Sequence, residues 1–174
     1  MENIEDKTLE EMQAKFLEAQ AALLAQGGTV ADTLEIDLET LEPLYTLAYN
    51  HYVSGNYDDA NTLFQALCLY NHSDVRFWMG LAGTRQALGE YKAAIEAYSM
   101  AGLITLMADP TPFIYASICH MKLGDMQSAK GGLEGALLLG KGDAQYDAII
   151  KKGEVLLEAV NANLLAQESS QSEA

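Results

Sequence analysis

Residues 52–67 read YVSGNYDDANTLFQAL, and their pattern recurs as RQALGEYKAAIEAYSMA at 85–101 and HMKLGDMQSAKGGLEGA at 120–136. Each stretch has a glycine, a bulky residue two positions later, an alanine five later and a large apolar residue nine later. The three sets are Gly55, Tyr57, Ala60 and Phe64; Gly89, Tyr91, Ala94 and Tyr98; and Gly124, Met126, Ala129 and Leu133. The glycines are 34 and then 35 residues apart, so the chain contains an internal repeat.

This repeat indicates pairs of packed helices. Glycine is the residue that most easily takes the left-handed conformation at the end of a helix, and alanine lets two helices approach closely. A period of 34 residues resembles that of the tetratricopeptide repeat (TPR), which is a helix–turn–helix unit. We therefore predict an all-α TPR superhelix of three helix pairs, with repeats at about 41–74, 75–109 and 110–143.

Repeat arrays need end elements that cover their outermost apolar faces. After the third repeat, Asp143 is a suitable N-cap for a capping helix that extends to about Leu165. Apolar residues recur along this helix at helical spacing, namely Tyr146, Ile149, Ile150, Leu157, Val160 and Leu164. We predict a TPR domain with its capping helix at 35–165 and, because the last residues are polar, a disordered tail at 166–174.

The amino-terminal region, residues 1–34, is predicted to contain a helix with one apolar stripe, which Gly27-Gly28 ends. The members of the stripe follow a 3,4,3,4 spacing: Leu9, Met12, Phe16, Ala19 and Leu23. Such a stripe suits a partner helix, including one from a second copy of the chain. We therefore expect a homodimer held together by these residues. The alternative is that this helix folds onto the first repeat of its own chain.

In a TPR array the first helices of the pairs line a concave surface, and the repeat phase predicts which residues face it. Leu44, Leu47 and Ala48 fill the inward positions of the first repeat. The predicted groove-facing residues are Tyr45, Tyr49 and Tyr52 in the first repeat, Arg76, Met79, Gly83 and Gln86 in the second, and Ile114, Ile118 and Met121 in the third.

The residue types of this predicted groove favour recognition of a polypeptide. Tyrosines on one helical stripe supply rigid area together with hydroxyl groups, a combination typical of recognition surfaces. The alternative is that the tyrosines pack internally. A groove that grips a terminal carboxylate uses Lys, Asn and Arg, whereas Arg76 is the one basic residue predicted to face this groove. An extended internal peptide with apolar anchors therefore fits better.

The charge of the chain excludes several kinds of partner. Its formal net charge is −15, so its surface should repel the phosphate backbone of nucleic acids and anionic membranes. The acidic start MENIEDKTLEEMQ does not fit a signal peptide, and no apolar run approaches the ~18 residues of a membrane span. Cys68 and Cys119 lie far apart in the sequence and fit reduced, buried thiols. We expect a cytoplasmic protein.

Motifs of catalysis and cofactor binding do not occur in the sequence. The three histidines are dispersed, and there is no H-E-x-x-H, G-x-S-x-G, P-loop or G-x-G-x-x-G motif. We therefore predict that the chain is not an enzyme and uses no cofactor or metal. The function class that remains is a protein that binds another polypeptide in its groove. A general TPR interaction scaffold belongs to this class.

Longer stretches of the sequence resemble the class II chaperones of bacterial type III secretion, which serve the pore-forming translocator proteins. The resemblance covers about residues 35–160. The stretches that carry it are LYTLAYNHY at 44–52, YDDA at 57–60, FQALC at 64–68, MGLAGTRQALG at 79–89 and ICHMKLGD at 118–125.

The resemblance implies a small acidic cytoplasmic chaperone that keeps hydrophobic translocators soluble and competent for secretion. It further implies that the concave groove binds a short translocator segment with spaced Pro and Leu anchors. Tyr45, Tyr49 and Tyr52 correspond to the aromatic residues that form the pockets for these anchors. Family members are also expected to dimerise through their amino-terminal helices.

Overall fold

The computed structural model describes residues 28–172. Within this range the chain is helical, with eight α-helices, one short 3-10 turn and no strand. The helices are α1 Val30–Thr33, α2 Leu38–Val53, α3 Tyr57–Tyr70, α4 Val75–Ala87, α5 Tyr91–Ile104, α6 Thr111–Lys122, α7 Met126–Leu139 and α8 Asp147–Ser172, with the 3-10 turn at Ala144–Tyr146. No described helix combines the length and the hydropathy that crossing a membrane requires.

Three helix pairs, α2/α3, α4/α5 and α6/α7, form the predicted repeats, and each helix packs on the next along the chain. Gly55, Gly89 and Gly124 lie in the turns inside the pairs, and each has a φ of 80°. This left-handed conformation is the one that glycine takes at least cost. The prediction of an all-α TPR superhelix of three pairs is therefore confirmed.

The alanine and the large residue of each repeat pack as the pattern predicts. Ala60, Ala94 and Ala129 have no exposed surface, so a larger side chain at any of them would push two helices apart. The large residues nine positions after the glycines are also buried: Phe64 is 1% exposed, Tyr98 3% and Leu133 0%. These residues fill the space between neighbouring helices.

Buried side chains form two clusters. The first cluster joins α1 to the first two repeats, reaches the third repeat through Cys119 on α6, and includes Phe64, Leu67, Phe77 and Leu81. The second cluster, with Leu133 among its members, joins the third repeat to α8. Between the second and third repeats runs the linker 105–110, in which Leu106 and Met107 have φ of 52° and 59°. The spacing of 35 rather than 34 residues falls on this linker.

The capping helix α8 is longer than the sequence indicates. The side chain of Asp143 accepts a hydrogen bond from the Gln145 amide, 3.1 Å away, and so caps the 3-10 turn that leads into α8. The helix then continues to Ser172, so the structure places residues 166–172 of the predicted disordered tail in this helix. Alanine, glutamine and glutamate are good helix formers, and Gln167 Nε2 donates to Asn163 Oδ1 at 2.9 Å, one turn back.

The described part of the predicted amino-terminal region, residues 28–34, packs on the first repeat. Thr29 and Asp32 form a capping box at the start of α1, and Ala31 is buried in the first core cluster. The predicted dimerisation residues lie outside the described residues; they are Leu9, Met12, Phe16 and Leu23, together with Ala19 of the same stripe.

Leu47 does not fill an inward position, although Ala48 beside it does. Ala48 is fully buried, whereas Leu47 is 47% exposed. The equivalent residue of the second repeat, Leu81, is 2% exposed in the core that it shares with the preceding repeat. No preceding repeat stands against α2 among the described residues, so Leu47 lies at the open end of the array.

Gly80 on α4 faces the ring of Phe64, and a Cβ at Gly80 would overlap that ring. We expect Gly80→Ala to lower the free energy of unfolding by about 1–3 kcal/mol, because the ring must move within a packed core. Gly135→Ala on α7 is the matched control: a Cβ there meets nothing, so the variant should gain about 0.5–1 kcal/mol from helix propensity. Urea unfolding followed by circular dichroism measures both. Equal stability of Gly80→Ala and the unaltered chain would contradict this packing.

Both thiols are free and buried, and burial raises the pKa of Cys68 to about 12 and that of Cys119 to about 11. Because the thiolate is the reactive form, we expect each thiol to react with a disulfide reagent at pH 8 on the order of 100-fold more slowly than in urea. The rate of reagent release with and without urea measures this. Fast reaction of either thiol in the folded chain would place it at the surface.

Candidate functional site

An open cavity of about 400 Å³ lies on the concave side of the first two repeats and reaches the third. Side chains from the first helices α2, α4 and α6 form its walls, and Phe64 and Tyr98 from the second helices α3 and α5 form its floor. The full lining comprises Tyr45, Tyr49, Tyr52, Phe64, Val75, Arg76, Met79, Gly80, Gly83, Tyr98, Asp109 and Tyr115. We call this cavity the groove.

The tyrosine stripe of α2 forms one continuous wall of the groove. The ring centroids of Tyr45 and Tyr49 are 6.5 Å apart, and those of Tyr49 and Tyr52 are also 6.5 Å apart. Tyr45 packs its edge against the ring of Phe64 on the floor, with 6.1 Å between centroids. Tyr49 is 51% exposed, and burial raises the pKa of Tyr45 and Tyr52. The stripe is thus anchored in the core yet lines an open space.

The second repeat contributes residues of very different size. Met79 and Gly83 line the groove as predicted. A Cβ at Gly83 would come 3.5 Å from the hydroxyl oxygen of Tyr52, so the glycine leaves room for that ring. Gln86 does not line the groove; its Oε1 accepts a hydrogen bond from the Tyr98 hydroxyl at 2.8 Å and so satisfies a polar group of the floor.

The third repeat differs from the prediction, because Ile114, Ile118 and Met121 do not line the groove. Ile114 is fully buried, and Met121 packs against the same second core cluster. The reason is α8, whose Gly153 lets the helix come close: a Cβ at Gly153 would lie 3.1 Å from Ile114 Cδ1. The repeat pattern alone could not predict the burial of Ile114, because α2 and α4 are followed by another repeat, whereas α6 has the capping helix α8 beside it.

On the side of the third repeat, the groove is lined by two residues that the sequence analysis did not predict. Tyr115 stacks on Tyr98 with 5.8 Å between centroids, and Lys152 of α8 places its Nζ 4.3 Å from the centre of the Tyr115 ring. Asp109 lies at the same side, where its Oδ1 accepts a hydrogen bond from the Thr111 amide at 2.8 Å. Tyr98, the large residue of the second repeat pattern, also forms part of the floor.

The rim of the groove at the amino-terminal ends of the first helices is charged. Arg76 forms ion pairs with Glu42 and with Asp74, each with 2.6 Å between nitrogen and oxygen. Hydrogen bonds to Asp74 and Glu42 raise the pKa of Arg76. Within residues 28–172 no three His, Cys, Asp or Glu side chains come together in a way that could hold a metal ion. Inside this charged rim, the aromatic lining of the groove suits contact with apolar side chains.

Comparisons with known proteins match both the repeat and the whole domain. The tetratricopeptide repeat family matches residues 41–74, which are the first predicted repeat. The low calcium response locus protein H of Yersinia pestis is 39% identical over 142 residues, which cover 82% of this chain and 84% of that protein. The alignment therefore extends far beyond one repeat.

Two solved structures have the same fold over most of their length. A chain in a type III secretion system complex from Aeromonas hydrophila superimposes with a TM-score of 0.78 at 36% identity, covering 84% of this chain and 97% of that chain. The Yersinia enterocolitica type III secretion chaperone SycD, solved with a peptide of the translocator YopD, superimposes with a TM-score of 0.70 at 37% identity, covering 74% and 98%. With this identity and coverage, the chain belongs to the family of type III secretion translocator chaperones.

Proposed function

We propose that this chain is a bacterial cytoplasmic chaperone that binds an extended segment of hydrophobic type III secretion translocators in its groove. The bound translocators are thereby kept soluble and competent for secretion. The observation that carries the proposal is the open tyrosine wall of α2 beside Met79 and Gly83. The likeness to SycD, whose solved guest is a translocator peptide, supports the same reading. It favours a chaperone over a general scaffold unrelated to secretion.

The groove can recognise a guest through a few apolar anchors. An apolar guest side chain that becomes buried against the rings of Tyr45, Tyr49 and Tyr52 contributes about 1.5–3 kcal/mol to the binding free energy. Ordering a flexible guest segment costs roughly 2–5 kcal/mol. Two or three anchors along one extended segment are therefore needed for useful binding. The chain acts by binding alone, without turnover.

The functional unit in this proposal is a homodimer. The stripe of Leu9, Met12, Phe16 and Leu23 pairs with the same stripe of a second copy, as the spacing of these residues predicts. A structure of SycD described as an alternative dimer supports self-association in the family. The exposed Leu47 at the open end of the array adds apolar surface next to the start of the first repeat.

The first prediction concerns the tyrosine wall. We expect Tyr45→Ala with Tyr52→Ala to lower the affinity for the YopD peptide at least about tenfold, since two anchor pockets are lost. Fluorescence anisotropy of the labelled peptide measures this, and circular dichroism checks that the helices persist. Tyr49→Ala removes an exposed ring and so spares the core; it should weaken binding about three- to tenfold.

The control for this experiment is Tyr146→Ala, a tyrosine on the 3-10 turn that does not line the groove. Its affinity for the peptide should match that of the unaltered chain. Undiminished binding by both groove variants, with their helices intact, would show that the guest does not use the tyrosine wall.

The second prediction concerns the dimer. We expect Leu9→Glu with Phe16→Glu to convert the dimer to a monomer, because like charges would face each other in the paired stripes. Sedimentation velocity measures the mass of each form. Leu69→Glu is the matched control, since Leu69 is 66% exposed on α3 and outside the stripe. A monomeric unaltered chain would favour the alternative, in which the amino-terminal helix folds onto the first repeat of its own chain.

A further inference from the structure

Arg76, at the rim of the groove, has both of its charged edges occupied by carboxylates of the same chain. Its Nη2 donates to Glu42 Oε1 at 2.6 Å, and its Nη1 lies 3.3 Å from Glu42 Oε2. Its Nε contacts Asp74 Oδ1 at 3.1 Å, and Nη2 also donates to Asp74 Oδ2 at 2.6 Å. Three of the guanidinium nitrogens are therefore bonded internally. The planar fork of arginine suits this kind of paired contact, which a lysine could not reproduce.

The faces of the same guanidinium lie against aromatic rings. Its central carbon is 5.0 Å from the centroid of Tyr45 and 5.6 Å from that of Phe77. Tyr45 and Phe77 are themselves in contact, with 5.8 Å between centroids. Glu42 stands three residues before Tyr45 on α2, so one side of the ion pair and the ring belong to the same helical turn. The guanidinium thus joins α4 to the first tyrosine of the wall.

This bridge is specific to one junction of the array. Glu42 and Arg76 are one repeat apart and connect α2 to α4. The equivalent position of the third repeat is Thr111, which cannot form such an ion pair. Packing of the repeats therefore does not require the bridge in general. It occurs where the tyrosine wall meets the second repeat.

We propose that Arg76 is a positioning residue of the groove, held by Glu42 and Asp74, which fixes the ring of Tyr45 and binds no carboxylate of the guest. This inference rests on the proposed function, because it concerns how the same groove selects its guest. An Arg76 held in this way agrees with the internal, apolar guest segment that the sequence predicts, because no terminal carboxylate then takes part in binding.

The local charges agree with this assignment. Two carboxylates surround one guanidinium, and Asp109 adds a third carboxylate to the lining of the groove. A guest carboxylate that approached this rim would meet net negative charge and would have to displace an existing partner of Arg76. Apolar guest side chains meet no such cost on the neighbouring rings.

The first test needs no guest. Chain labelled with 3-fluorotyrosine gives a fluorine NMR resonance for Tyr45, which Tyr45→Phe assigns by its loss. We expect Glu42→Gln and Arg76→Met each to shift and broaden the Tyr45 line, because the ring is no longer held on one face. Glu39→Gln makes the same chemical change one turn earlier on α2 and should leave the line in place. An unchanged Tyr45 line in both groove variants would overturn the proposal.

The second test uses the YopD peptide in two forms, with a free carboxylate and with an amide at its carboxyl end. We expect the unaltered chain to bind both forms equally within about twofold, and Arg76→Met and Glu42→Gln to weaken both about three- to tenfold. A preference for the free acid that disappears in Arg76→Met would make Arg76 a carboxylate receptor and overturn the proposal. Unweakened binding by Arg76→Met would overturn it too.

The two tests separate this inference from the proposed function. If the unaltered chain bound neither form of the peptide, the proposed chaperone function would fail, while the Tyr45 resonance would still decide whether Arg76 positions the ring.

Discussion

One contact recurs between neighbouring units of this array, in which a large side chain rests on a glycine. Phe64 of the first repeat lies on Gly80 of the second, and Phe113 of the third repeat lies on Gly102 of the second. The cap is joined in the same way, with Ile150 against Gly140. Because a Cβ at any of these glycines would overlap or crowd its partner, the spacing of the helices depends on them. The groove depends on the same contacts, since Phe64 is part of its floor.

The repeating part of the fold could be predicted from the sequence because its physical causes repeat. A glycine in each turn and an alanine at each helix crossing recur with the same spacing, so three independent matches define the helix pairs. The capping helix could be predicted from the spacing of its apolar residues. Its full length could not, since the polar residues after Leu165 fit a helix as well as a tail.

The errors fall at the two ends of the array, where a residue has no repeat beside it. Leu47 occupies the position that buries Leu81, yet no preceding repeat covers it among the described residues. Ile114 occupies the position of Met79, yet α8 covers it. The tyrosine wall could be predicted because its tyrosines face the second repeat, which stands where the repeat pattern assumes it. Tyr115 could not be predicted as a groove residue. Because α8 covers Ile114, the next residue of α6 lines the groove instead.

The first buried cluster extends past the second repeat, and this has a consequence for how the molecule comes apart. Cys119 on α6 belongs to that cluster, and Phe113 and Tyr115 of the same helix contact Gly102 and Tyr98 of α5. The third repeat therefore shares packing with the second repeat as well as with α8. Loss of order in one repeat would remove contacts that its neighbour needs, so we expect the repeats to unfold together rather than one at a time.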